Sequence, residues 1–365
     1  MSRHGSGLLL RRPFRTVSFV SSRTTAARLL VFFVSLVSLV FVSRTASAIE
    51  EIRIGTLAPR DSVWGRTLGA WAASVQQESG GQLRLSLYFG GSQGDEPALV
   101  AKVRDRSLDG AALGGSGLSA FVPDVIALEL PGIYSSFSRL DRGRNAIRAK
   151  LAEGFDRAGV RLLAEGDLGV LRLFSRESEV KSPGDLKRMQ TFVRSDDLLG
   201  KAFIDVLAFP SRPPVLSISQ ILGALLPPRA PGDGGAAPPH VNVVFTSSLA
   251  VNELRWADMI EYMTPQPTAY GIGGVVIHSG KFDSLPPEAR AILKRTADAT
   301  GSLLSQRVRA ADDQAYQKLR AEKKVVELAE DARTEWVEAC KKLKSLVRSR
   351  AQHPEIVDLA VAAGQ

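Results

Sequence analysis

The chain has 365 residues, a formal net charge of +9 and a single cysteine, Cys340, which excludes an intramolecular disulfide. The charge is uneven, because residues 1–48 hold seven arginines and no acidic residue, whereas the remainder has 40 basic and 38 acidic residues, a net of +2. A nearly neutral body argues against a nucleic-acid-binding protein. We expect neither a metal nor a cofactor, because no metal-ligand spacing involves the three histidines after residue 48, His240, His278 and His353.

Residues 1–48 have the composition of an export signal. The arginine-rich start runs into the uncharged apolar segment Leu29–Val42, and small residues follow at Ala46 and Ala48. This order predicts a secretory signal peptide that is cleaved after Ala48, and hence a periplasmic protein. An uncleaved membrane anchor is the alternative. It is disfavoured because the apolar run is shorter than a span of about 20 residues and Arg44 closes it.

Strand and helix patterns alternate over residues 49–120. The predicted elements are a strand at Ile49–Leu57, a helix that carries Trp64, Leu68, Trp71 and Val75, a strand at Gln82–Phe89, a helix from about Glu96 to Arg106 and a short apolar segment at Gly110–Leu113. The β-α-β-α-β order predicts a mainly parallel sheet covered by helices.

A second α/β block begins near Leu171. It contains LRLFSR and the following predicted segments: Met189–Val193, helices at about Leu198–Val206 and Ser217–Leu226, a strand at Val241–Phe245, a helix at Ser248–Trp256 and a strand at Ile272–His278. From Pro286 to about Arg350 the pattern is helical, with a break near Lys324–Val326. The run Pro227–His240 is rich in Pro, Gly and Ala and predicts a flexible surface insertion. Two such blocks favour two lobes with a cleft between them.

One enzyme motif is present. Gly90–Gly94 reads GGSQG, a match to GxSxG, and lies between a predicted strand and a predicted helix, as a hydrolase nucleophile elbow does. The motif follows only the second strand, no HGGG-type segment precedes it, and no histidine lies in an obvious loop beside an acidic residue. A secreted serine hydrolase that uses Ser92 is therefore the weaker interpretation.

A binding protein is the stronger interpretation. Between two lobes, aromatic rings, polar groups and arginines can converge on a small ligand, and closure about a hinge then buries it. Nine side chains near the ends of predicted strands are candidates for this site: Trp64, Ser116, Tyr134, Arg172, Phe192, Arg194, Phe245, Thr246 and Tyr270.

Five segments in order resemble the extracytoplasmic solute-binding proteins of TRAP (tripartite ATP-independent periplasmic) transporters, the DctP-like family. They read IGTLAPRDSVWGRTLGAWAASVQQESGG, FGGSQGDE, VIALELPGIY, VKSPGDLKRMQTFV and GGVVIHSGKFDSLPPEARAIL. The resemblance covers nearly all of residues 49–350, and in its light GxSxG is a turn of the family. It implies an α/β fold of the two-lobed periplasmic-binding-protein type (class II), with crossing strands and a long late helix. We expect lobe I to comprise residues 49–170 and about 272–320, and lobe II residues 171–271 and about 321–365.

Phe192 is the main departure from the family pattern. Family members carry an arginine there that binds the ligand carboxylate, and an assisting arginine of some members coincides with Arg172. The pattern resembles a branch with an aromatic residue at this site and an acidic stretch after it, here Asp196 and Asp197. We expect an apolar or weakly polar solute, or a carboxylate held by Arg194 or Arg172 instead.

The resemblance implies a non-enzymatic receptor that captures a small organic solute and delivers it to a TRAP membrane permease. We expect a monomer without a nucleic-acid partner. A periplasmic sensor or partner protein without a role in transport is the alternative from another class. Of the remaining residues, His278 is expected to be packed or at a sheet edge, and Cys340 to be a small core residue.

Overall fold

The computed structural model describes residues 49–227 and 239–364. The predicted signal peptide therefore lies outside the described residues, as does most of the Pro/Gly-rich run. Within these two ranges, no helix is long and apolar enough to cross a membrane.

One sheet of eight strands organises the chain. Its strands are β1 (Glu50–Thr56), β2 (Leu83–Tyr88), β3 (Gly110–Gly114), β4 (Val160–Ser175), β5 (Val243–Ser247), β6 (Tyr262–Met263), β7 (Ala269–His278) and β8 (Lys324–Val325). They lie in the order β2-β1-β3-β7-β4-β6-β8, and β5 also pairs with β4.

Twelve helices of the described ranges cover this sheet. They are α1 (Val63–Glu78), α2 (Glu96–Arg104), α3 (Gly115–Ser119), α4 (Phe137–Arg157), α5 (Pro183–Leu186), α6 (Leu198–Leu207), α7 (Ile218–Leu225), α8 (Ser248–Glu253), α9 (Ser279–Ser284), α10 (Pro287–Glu322), α11 (Glu330–Arg350) and α12 (Pro354–Gly364). Two short 3-10 helices lie at Pro123–Glu129 and Ala257–Met259.

The parallel sheet predicted for the first block is confirmed. Strand β1 pairs in parallel with β2 and with β3, and α1 and α2 connect them. The helix α1 begins where the sequence favours it, because the hydroxyl of Ser62 accepts a hydrogen bond from the amide of Gly65 at 2.9 Å. The side chains of Leu68, Trp71 and Val75 are buried on one face of α1, as their spacing predicts.

Apart from the short parallel pair of β6 with β8, the rest of the sheet is antiparallel, and β4 is longer than predicted. The LRLFS part of LRLFSR is the last third of β4, a strand that starts at Val160 and pairs along most of its length with β7. The long β4–β7 ladder joins the two blocks into one sheet. The Met189–Val193 stretch, by contrast, forms no regular strand, and only Val193 makes an isolated bridge, to Val215.

Strand β4 bends at Gly169, where its register against β7 shifts. The φ angle of this glycine is +107°, a conformation that residues with a Cβ rarely adopt. A Cβ there would also lie 2.7 Å from the carboxyl carbon of Asp312 on α10. The bend therefore needs glycine for both its backbone angle and its space.

A buried charge network ties α4, β4 and α10 together. Asp167 on β4 is fully buried and accepts hydrogen bonds from Arg144 on α4 and Arg309 on α10, both at 2.6 Å. Arg309 also binds Asp141 on α4, at 2.6 and 2.9 Å. The network fixes the long helix α10 against the strand that crosses between the blocks.

Candidate functional site

A cavity of about 380 Å³ lies where the two blocks meet. Its wall comes from the ends of β1 and β3, from β4 and β5, from the segment before α6, and from α6, α7, α8 and α11. A volume of this size accommodates a small organic molecule. We call this space the main cavity.

Most of the main-cavity wall is apolar. Its aromatic side chains are Trp64, Phe192, Phe203, Phe245, Trp256 and Trp336. Aliphatic side chains that include Leu113, Leu168 and Leu171 fill the space between them. Phe245 is 44% exposed at the cavity, an unusual position for a large apolar ring, so a ligand can contact it. The wall favours a ligand with an apolar body.

Trp64 is fixed in the wall by its indole. Its Nε1 donates a hydrogen bond to the backbone carbonyl oxygen of Asp167 at 2.9 Å. A Cβ at Gly273 on β7 would lie 2.9 Å from the ring of Trp64, so the absence of a side chain there makes room for the indole. Trp64 is only 7% exposed, so it offers a ligand a small part of its surface.

Arg194 is the single cation among the described residues that line the main cavity, and carboxylates already hold it. Its Nη2 lies 3.0 Å from Oε2 of Glu96, and its Nε and Nη2 each lie 3.1 Å from a carboxylate oxygen of Asp196. Burial by itself would lower the pKa of Arg194, but these two carboxylates raise it above its ordinary value. The guanidinium therefore stays charged and is neutralised within the protein.

Glu96 is held from two directions. The amide of Gly114 donates a hydrogen bond to its Oε1 at 2.5 Å, and the amide of Gly117 donates to Oε2 at 3.0 Å, the oxygen that Arg194 also binds. Glu96 is only 6% exposed, and burial raises its pKa while Arg194 opposes this shift. Its carboxylate thus fills the position beside Arg194 that a ligand carboxylate would take.

Three further acidic side chains line the main cavity. Oε1 of Glu129 accepts a hydrogen bond from the amide of Ile272 at 2.8 Å, and burial raises the pKa of Glu129 to about 8, with Asp197 and Glu96 adding to the shift. The carboxylate of Asp197 caps α6, because it accepts a hydrogen bond from the amide of Gly200. The carboxylate of Glu253 accepts a hydrogen bond from the amide of Val63 at 2.6 Å. At neutral pH the carboxyl of Glu129 is protonated, so it presents a hydrogen-bond donor.

The structure brings six of the nine predicted site residues together around the main cavity: Trp64, Ser116, Phe192, Arg194, Phe245 and Thr246. Phe192 and Arg194 lie in its wall together. They reach it from an irregular segment rather than from a strand.

The other three candidates lie elsewhere. Arg172 lies over the ring of Tyr316 at 4.1 Å and faces Asp312 at 3.8 Å, so it belongs to the packing of α10 on β4. Tyr270 packs edge-on against Phe137, with ring centroids 4.9 Å apart. The hydroxyl of Tyr134 donates to the backbone carbonyl oxygen of Ala360 on α12.

Four acidic residues that line the main cavity were not among the nine sequence candidates: Glu96, Glu129, Asp197 and Glu253. Glu129 is the one charged residue in the apolar segment VIALELPGIY. A lone charged residue in such a segment is a signal for a buried functional group. Glu96 directly follows the glycine turn GGSQGD, where it reads as an ordinary first-turn helix residue. Only the fold shows that it meets Arg194, which lies 98 residues later.

The hydrolase alternative finds no support in the geometry. The described histidines have partners away from Ser92: His240 binds Glu177, His278 caps α9 through the amide of Gly280, and His353 faces Glu355.

Cys340 lines the main cavity and is half-buried. Burial raises its pKa to about 11, so the thiol is protonated and unreactive at neutral pH.

Sequence comparison finds solute-binding proteins among the relatives of this chain. The profile of the bacterial extracellular solute-binding proteins, family 7 (DctP), matches residues 54–225 and 249–348. The 2,3-diketo-L-gulonate-binding periplasmic protein YiaO of Escherichia coli K12 is 22% identical over 241 residues, 66% of this chain and 69% of the relative. The C4-dicarboxylate-binding protein DctB of Bacillus subtilis is 22% identical over 159 residues, 43% of this chain and 45% of the relative.

Solved structures show the same fold. The extracytoplasmic solute receptor DctP7 of Bordetella pertussis, which binds pyroglutamic acid, superposes with a TM-score of 0.75 at 16% identity, over 86% of this chain and 99% of that one. A TRAP periplasmic solute-binding protein of Shewanella oneidensis with bound succinate gives 0.76 at 16% identity, over 87% and 100%. These likenesses confirm the two-lobed periplasmic-binding-protein fold.

Proposed function

The chain belongs to the bacterial extracellular solute-binding proteins of family 7, a class of binding receptors rather than enzymes, and from this premise we propose that it is the solute receptor of a TRAP-type transporter. In this proposal residues 1–48 direct export and are removed after Ala48. The remaining chain, as a monomer, captures a small organic solute in the main cavity and delivers it to the membrane permease.

We propose that the main cavity accepts an apolar solute that carries a hydroxyl, amide or ammonium group, rather than a carboxylate. The main support for this ligand class is the pairing of Arg194 with Glu96 and Asp196. A ligand carboxylate would have to displace a carboxylate of the protein to reach the guanidinium, and would enter a wall that also carries Asp197 and Glu253. Like charges in a low-dielectric cavity repel strongly.

The same groups suit a neutral or cationic ligand. Carboxylate oxygens of Asp197 and Glu253 accept hydrogen bonds, and the protonated carboxyl of Glu129 donates one. An ammonium group can also lie over the aromatic rings of the wall. The succinate and pyroglutamic acid bound by structural relatives would therefore be poor ligands here.

We further propose that the predicted lobe boundaries place Glu96 in lobe I and Arg194 in lobe II. The Glu96–Arg194 pair would then bridge the cleft. Such a pair stabilises the closed arrangement without a ligand, and opening would break it.

Three probes with the same phenyl body test the ligand class: phenylethanol, phenethylamine and phenylacetate. The side-chain NMR signals of Trp64 and Trp256, assigned by single Trp→Phe variants, report binding in the main cavity, because both rings line it. We expect the alcohol and the amine to shift these signals at concentrations at least about tenfold lower than the carboxylate. Equal or tighter binding of phenylacetate in the main cavity would refute the proposed ligand class.

A further inference from the structure

A second cavity, of about 400 Å³, lies beside the main cavity. One wall is a face of α11, formed by side chains three or four positions apart, and the loops around Gly132 and Gln266 form the opposite side. The two cavities are adjacent, because five residues line both: Pro131, Leu173, Thr268, Trp336 and Cys340. The indole of Trp336 is held in place by a 2.8 Å hydrogen bond from its Nε1 to the carbonyl oxygen of Lys181.

The charged groups of the second cavity are all basic. Arg333, Lys341 and Lys344 line it, and no acidic residue does among the described residues. Lys341 is paired with Glu338 at 2.7 Å, but the side chains of Arg333 and Lys344 have no ion-pair or hydrogen-bond partner in the described ranges. Lys344 is half-buried and Arg333 is exposed, so the two side chains lie at the rim of the cavity.

The body of the second cavity is apolar. Its apolar lining includes Leu173, Leu328, Val337 and Val361 together with the ring of Trp336. An unpaired cation at the rim of an apolar space recognises a molecule with an apolar body and one anionic end. The charge pattern is thus the reverse of the main cavity, where the one cation is neutralised and the other charges are acidic.

We propose that the second cavity is a binding site for a small aromatic or alicyclic monocarboxylate. The apolar ring packs against Trp336, and the carboxylate pairs with Arg333, one turn before it on α11. Lys344, about 16 Å further along the same helix, adds positive charge at the other end of the cavity. This site is independent of the ligand class proposed for the main cavity.

Phenylacetate and its uncharged amide, phenylacetamide, test the proposal on the purified chain without residues 1–48. In NMR titrations, we expect phenylacetate to shift the indole signal of Trp336 and to leave those of Trp64 and Trp256 unchanged. The amide should need a concentration at least about tenfold higher, because it lacks the charge. Shifts of Trp64 and Trp256 instead, equal binding of the amide, or no binding of phenylacetate would each overturn the proposal.

The double variant Arg333→Met/Lys344→Met tests the two cations. Both side chains lie on one exposed or half-buried helix face, so the fold is retained, as thermal unfolding will verify. We expect at least an about tenfold loss of phenylacetate affinity. The matched control is Lys342→Met, which removes an exposed lysine of the same helix that does not line the cavity. Equal loss in the control would show a non-specific effect of charge and contradict the site.

Discussion

Nη2 of Arg194 lies 3.0 Å from Oε2 of Glu96. The two residues are 98 positions apart in the chain, and each has further partners, Asp196 for the arginine and two backbone amides for the glutamate. The sequence resemblance predicts that the family's ligand-binding arginine corresponds to Phe192. Arg194, the cation that lines the main cavity in the described part of the chain, is paired with the protein's own carboxylates and is therefore neutralised.

Glu96→Gln should free Arg194 in part. Gly114 donates to Oε1 and Gly117 to Oε2, so a glutamine keeps one of these two backbone bonds through its single oxygen. Its uncharged amide no longer neutralises the guanidinium. We expect the affinity of the main cavity for phenylacetate, read from the Trp64 indole signal, to rise about tenfold, the size of one charge-assisted hydrogen bond.

Glu253→Gln is the matched control for that experiment. It removes one negative charge from the same wall, but Glu253 binds the amide of Val63 rather than Arg194. A similar gain in both variants would mean that overall cavity charge, and not the Arg194 pair, sets the affinity for anions.

The carboxyl of Glu129 should make stability fall as the pH rises. Burial raises its pKa from the ordinary 4.5 to about 8, so between these values the folded chain holds a proton that the unfolded chain has lost. Because the folded state binds more protons than the unfolded state in this pH range, the free energy of unfolding decreases as the pH rises from about 4.5 to about 8. Asp197 and Glu96 strengthen the shift, and Arg194 weakens it.

Glu129→Gln isolates this contribution, because glutamine resembles the protonated carboxyl and does not titrate. Urea unfolding at about pH 5 and about pH 9 should show the wild-type protein losing stability relative to the variant as the pH rises. A difference between the two proteins that stays constant over this range would contradict a raised pKa.

Asp167 should be the costliest single acidic residue to alter in the core. It is fully buried between Arg144 and Arg309, so Asp167→Asn leaves two buried cations with less compensation. We expect the free energy of unfolding to fall by about 3 kcal/mol in urea titrations. Asp283→Asn removes an exposed ion pair with Arg161 and should cost less than about 1 kcal/mol. Equal costs would mean that the network adds nothing beyond a surface pair.

Local patterns in the sequence predicted most elements of the fold. The spacing of Leu68, Trp71 and Val75 gave α1, and the break near Lys324–Val326 is the short strand β8 between α10 and α11. The full length of β4 was missed, because charged and glycine residues interrupt its apolar pattern before Leu171. Their burial depends on helices that pack from distant parts of the chain.

The site was predictable in part. Aromatic residues near strand ends, such as Phe192 and Phe245, do line the main cavity. Arg172 looked equally suitable, but successive side chains on a strand point to opposite faces, and its neighbours Leu171 and Leu173 take the cavity side. The pairing of Glu96 with Arg194 depends on long-range folding, which no local pattern specifies.

Native mass spectrometry of the protein purified from the periplasm of a producing bacterium is the most direct test of the proposed ligand class. We predict a co-purified solute that has an apolar body and no carboxylate, whose binding survives Arg333→Met/Lys344→Met but is weakened by Glu253→Gln. A dicarboxylate bound in a one-to-one ratio, and retained when Arg333 and Lys344 are both replaced, would contradict the account.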